Sequence, residues 1–211
     1  MKMKLIAICP ALTVLILLSG CGAAVKYPSF YTLDVLPPPD PPVQGNIHAT
    51  LAVREFRSPE YLRQGAIVFK TSPEQIGFYH YHRWATDPRE LVTDAVADRL
   101  RAGGNFTQVK PYDGRADIDY VLSGRLEKLE EVDCEGSVKV EVAISAQMVE
   151  LSTGATVWTN SVVEVGQVDK RDVPAVVSAM SCTMDQAIEK LLTPGPAVRS
   201  EQATISQRGA K

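Results

Sequence analysis

The sequence predicts an α+β fold, a mostly antiparallel sheet with two main helices packed on one face, and three observations predict it. Val138, Val140, Val142, Ile144, Ala146 and Met148 alternate with Lys139, Glu141, Ala143, Ser145 and Gln147. That period of two marks a strand buried on one side. Two segments carry helix-start chemistry. Asp87-Pro88-Arg89-Glu90 places Asp at an N-cap, Pro in the first turn and Glu three residues on. Asp172 precedes an apolar stripe of Val173, Val176, Val177, Met180, Met184, Ile188 and Leu191. The order along the chain is strands, helix, strands, helix, which suits an α+β layer pair better than a parallel α/β sheet.

Taken in order, the first segment lies outside that fold. Lys2 and Lys4 precede Leu5 through Leu18, an uncharged and mostly apolar run. A transmembrane helix needs about 20 such residues, so this shorter run reads as the core of an export signal. Leu18-Ser19-Gly20-Cys21 then resembles the lipobox of bacterial lipoproteins. The resemblance implies that residues 1–20 are a signal peptide and that Cys21 takes the lipid. Two or more acyl chains hold a protein stably where one does not. Gly22 in place of Asp favours sorting to the outer membrane, with the domain facing the periplasm. Residues 21–26 form the lipidated tether, 27–193 the folded domain, and 194–211 a polar tail without periodicity that is expected to be disordered.

Within the domain, Tyr27–Val35 is aromatic and β-branched and reads as a first strand. Leu36–Gly45 contains five prolines and reads as a stiff loop. His48–Arg54 is a core strand and Ser58–Leu62 a turn. Ala66–Lys70 and Ile76–Trp84 pair around Thr71–Glu74. The first helix carries Leu91, Ala95, Val96 and Leu100 on its apolar side and ends at Gly103-Gly104. Phe106–Val109 is a short strand before the Tyr112-Asp113-Gly114 turn. Tyr120–Val132, Val138–Met148 and Ala155–Val165 form an antiparallel meander, with Glu130–Gly136 and Ser152-Thr153-Gly154 as its turns. The last helix runs to about Leu192.

Charge narrows the partners. With Lys2 and Lys4 removed, 20 basic residues face 25 acidic ones in the mature chain, a net −5. A mildly acidic domain without a basic stripe does not suit nucleic acid. Besides Cys9 and Cys21, the cysteines are Cys134, in the expected polar turn, and Cys182, opposite the apolar face of the last helix. An oxidising compartment makes them a candidate disulfide, provided the turn folds over the helix.

Catalytic and cofactor signatures are sparse. His80 and His82 share a strand face at zinc-compatible spacing, but His48 is distant and no acidic ligand is placed, so no metal site is expected. No nucleophile elbow, phosphate loop or dinucleotide fingerprint occurs, and no cofactor is implied. Asp117 and Asp119 flank Ile118 as charges leading into a strand. Nothing in the residues calls for an enzyme. Tyr79, Tyr81 and Trp84 remain as a ring-rich segment. These side chains either fill the space between sheet and helix or form a partner surface, for which Tyr and Trp are favoured.

Several segments together resemble one family. They are Phe30-Tyr31-Thr32-Leu33 soon after the cysteine, Ser58-Pro59-Glu60-Tyr61-Leu62, Ile67-Val68-Phe69, Tyr79-His80-Tyr81-His82-Arg83-Trp84-Ala85 before a Pro-led helix, and Val157-Trp158. Their order over about residues 30–192 is similar to the ABC-type transport auxiliary lipoproteins (PqiC-like). That resemblance implies a non-catalytic subunit of an intermembrane lipid-transport system, docking a conduit of MCE (mammalian cell entry) domain proteins at the outer membrane. The implied partners are an MCE-domain protein and, through Cys21, the membrane; a homo-oligomer is compatible with both. Two other readings fit the residues: a scaffold or activator lipoprotein for envelope assembly, and a periplasm-facing carrier holding an acyl chain.

Overall fold

The computed structural model describes residues 26–35, 47–114, 117–134 and 136–193. The signal, Cys21, the proline-rich loop and the tail lie outside these residues. In chain order the elements are β1 (Ser29–Tyr31), β2 (Ile47–Val53), a 3₁₀ turn (Glu60–Gln64), β3 (Ala66–Ser72), β4 (Gln75–Trp84), α1 (Pro88–Ala102), β5 (Phe106–Pro111), β6 (Tyr120–Cys134), β7 (Ser137–Glu150), β8 (Thr156–Gln167) and α2 (Val173–Leu191). The fold is α+β, eight strands in one sheet with both helices, as the sequence predicts.

β6 organises the sheet. Along one side it pairs antiparallel with β7 from Tyr120 to Cys134, and β7 pairs antiparallel with β8, which is the expected meander. Its other side is shared end to end. β2 runs parallel to Tyr120–Leu122 and β3 parallel to Glu130–Val132, with the Arg57–Arg125 bridge between them. β5 and β1 add further parallel ladders to β2 and β4. The sheet is therefore mixed, its long ladders antiparallel and its short ones parallel. Local periodicity cannot foretell this, because alternation specifies a half-buried strand and not the direction of its neighbour.

One face of β6 and β7 buries Leu122, Leu126, Leu129, Val140, Val142, Ile144 and Met148 in a core shared with both helices. α1 starts where Asp87 accepts the Arg89 N–H at 2.9 Å, and α2 where Asp172 accepts the Ala175 N–H at 2.9 Å. Each cap satisfies a donor that the first helical turn leaves unpaired. An Arg99–Asp185 ion pair ties the helices together.

The expected polar turn is corrected: residues 130–134 continue β6. Glu130 is fully buried, with its carboxylate 3.1 Å from Lys70 Nζ, and Glu131 is buried against Tyr79. Strand placement is tolerated because each buried carboxylate meets a cross-strand partner. Tyr27–Val35 forms only the short β1, pairing with His82–Trp84.

Candidate functional site

The ring-rich segment lies on β4, and a bulge decides where its side chains go. Ala66 pairs with Arg83 and Val68 with Phe78, so a two-residue step on β3 matches a five-residue step on β4. Extra residues leave the ladder, local twist rises, and strict alternation of faces is lost. This separates the three aromatic residues named from sequence. Trp84 is buried in the core. Tyr79 is half-buried, and its phenol donates to Glu131 Oε2 at 2.8 Å. Only Tyr81 is exposed. Trp84 therefore packs the domain interior and is not part of a partner surface.

A small polar–aromatic cluster locks the bulge. The Tyr31 hydroxyl and His82 Nδ1 hydrogen-bond at 2.9 Å, and the His82 ring meets the Tyr79 ring edge-on at 5.7 Å. Phe69 lies against the other side of Tyr79, with ring centres 5.0 Å apart. Burial pushes the Glu131 carboxyl above its ordinary value; the Tyr79 hydrogen bond works against that and the nearby Asp133 charge adds to it. Burial likewise pushes the Tyr79 phenol well up, and its bond to Glu131 holds the proton more firmly. Tyr31 and Glu131 were not singled out from sequence. Their partners lie about fifty residues away, and no local pattern signals such pairs.

His82 is engaged by Tyr31 while His80 is exposed, and among the described residues no group of His, Cys, Asp and Glu is placed to hold a metal ion. Asp119 accepts the Thr50 N–H at 2.7 Å and Asp117 pairs with Lys110 at 2.8 Å, so these carboxylates serve separate structural contacts. Cys182 is free and exposed on α2. Cys134 ends β6, and its side chain lies outside the described ones. Arg171, beside the α2 cap, donates to Gly136 at 2.7 Å, so the cap sits near that hairpin. The pairing of Cys134 with Cys182 falls outside the described side chains.

A cleft of about 330 Å³ opens on the sheet face away from the helices, lined by Arg54, Arg57, Arg125, Ser123, Ser145 and Thr159 among others. Such a lining does not suit an acyl chain. Among the described residues no helix is long and apolar enough to cross a membrane.

Three of the exposed large apolar side chains lie at one edge. β1 is an outer strand, and Phe30 and the preceding Tyr27 are exposed beside Tyr81 of β4. Lys26 places its Nζ 4.7 Å from the Tyr81 ring centre. Lys26, Tyr27 and Pro28 lead into β1 at this edge.

Comparison with known proteins agrees with the fold. No curated protein matches the sequence. Protein XCC0632 from Xanthomonas campestris is similar in structure, with a TM-score of 0.66, 18% identity, and coverage of 78% of this chain and 92% of that one. An uncharacterized protein of known structure gives a TM-score of 0.62 at 14% identity, covering 80% of this chain and 99% of its own. The family model for the ABC-type transport auxiliary lipoprotein component matches residues 31–191. That span runs from β1 to the end of α2, so the chain belongs to the ABC-type transport auxiliary lipoprotein family.

Proposed function

We propose that this protein is a non-catalytic subunit of an intermembrane lipid-transport system, held at the outer membrane by lipid on Cys21 and docking an MCE-domain conduit there. Family membership makes it a lipoprotein auxiliary to an ABC-type transporter. The observation that carries the finer reading is the short connection between Cys21 and a domain edge. Only residues 22–26 separate Cys21 from Tyr27, a reach of about 20 Å at most. A domain held that closely serves as a fixed docking part, not as a carrier crossing the periplasm. The polar lining of the sheet-face cleft also favours docking over carriage of an acyl chain.

Purification of the lipidated protein from detergent-solubilised membranes tests the reading. Co-recovery of an MCE-domain protein is the expected result. Recovery of a peptidoglycan synthase or a secretin without any MCE protein overturns it in favour of an envelope scaffold. Cys21→Ser is expected to abolish incorporation of labelled palmitate, and normal labelling of that variant overturns the anchor.

A further inference from the structure

Large exposed apolar side chains that cluster on a folded domain mark contact surfaces. Tyr27 is 80% exposed, Phe30 62% and Tyr81 43%. All three lie on the β1–β4 edge, where Phe30 pairs with Arg83 and Lys26 covers the Tyr81 ring. The exposure is built into the fold. Around the β4 bulge Tyr81 is left outside, while Trp84 is buried and Tyr79 half-buried. The Tyr31–His82 hydrogen bond fixes β1 alongside.

Chain length identifies what covers this edge. Tyr27 follows Cys21 by six residues, so an acylated Cys21 holds it within about 20 Å of the lipid, and the chain can fold back to bring it closer. The chemistry fits the same surface. Tyrosine rings settle at the membrane–water interface with the apolar body inward and the hydroxyl wet. A lysine stem lies along apolar surface while its ammonium meets lipid phosphate.

We propose that Lys26, Tyr27, Phe30 and Tyr81 sit in the headgroup layer of the bilayer that holds Cys21, so that the domain stands on its β1–β4 edge. The proposal rests on the Cys21 anchor. The acyl chains hold the protein at the membrane, and the aromatic edge sets its orientation. β8, the outer strand at the other end of the meander, then faces away from this contact.

Full-length lipidated protein, reconstituted in vesicles of phosphatidylethanolamine and phosphatidylglycerol with a photoactivatable phospholipid, tests this by peptide mapping after illumination. Label is expected in the peptides containing residues 26–30 and 79–83. None is expected at Val163 and Val165 on β8, which are 61% and 57% exposed and serve as an apolar control. The double variant Phe30→Ser, Tyr81→Ser should lose most of this label with an unchanged melting temperature. An acylated N-terminal peptide with no label on the β1–β4 edge, or with label equal to that on β8, overturns the proposal and leaves the anchor intact. Crosslinks joining two copies through Tyr81 overturn it in favour of self-association. An N-terminal peptide whose mass lacks the lipid overturns both the anchor and this contact.

Discussion

Glu131 shows how a single residue couples this fold to pH. Its carboxyl is buried, and burial raises its affinity for a proton above the ordinary value of 4.5. The folded state therefore binds that proton more tightly than the unfolded chain does. Its contribution to stability is complete below about 4.5 and is lost as pH rises through the raised folded value. Glu131→Gln keeps an acceptor for the Tyr79 hydroxyl but removes the titration. It should flatten the decline of melting temperature above that pH; an unaltered slope would place the titration elsewhere. At the same scale, Trp84 and Tyr81 are both rings of one strand with opposite roles. Trp84→Ala empties a core site and should cost about 3–5 kcal/mol. Tyr81→Ser changes an exposed position and should stay within about 0.5 kcal/mol. Thermal melts of the two variants measure the contrast, and equal losses would contradict the burial difference.

At the scale of elements, close approach between strand and connector decides one position that looks dispensable. Gly124 lies mid-β6, and a Cβ there would overlap the Phe56 ring, which is buried just before Arg57 bridges to Arg125. Gly124→Ala should cost about 1–3 kcal/mol by overpacking. Phe56→Leu in the same chain should recover part of that loss, because residues in contact are not additive. A double-mutant melt with strictly additive losses would rule the contact out. Sequence gave no hint of this contact, although β6 itself was readable from Tyr120 to Val132. The legible elements were those with a local cause: the alternation of β7, the capping aspartates, the glycines after α1. What escaped depended on distant partners. Glu130 and Glu131 resemble a solvated turn until Lys70 and Tyr79 are placed beside them. Tyr79, Tyr81 and Trp84 resemble one surface until the β4 bulge sends them to different environments. The parallel neighbours of β6 follow from topology, which period two leaves open.

At the scale of the whole molecule, the segments outside the sheet set what the sheet can do. α1 and α2 cover one face, the Arg54–Arg57–Arg125 cleft opens on the other, and the chain enters at the β1 edge. If the domain is a docking part, its distance from the membrane is a functional quantity. A flexible Gly/Ser chain spans about 5–6 Å times the square root of its length. Inserting roughly twenty such residues after Ala24 would let the domain wander by more than 25 Å. Local concentration at a fixed partner falls with about the three-halves power of linker length, or about tenfold for this insertion. The insertion lies before the described fold, so lipid attachment and melting temperature should be unchanged. In-cell crosslinking to the proposed MCE-domain partner should fall by about that factor. Undiminished crosslinking in a lipidated, folded insertion variant would show that the short tether does not set the docking distance, and that the domain surface alone holds the partner.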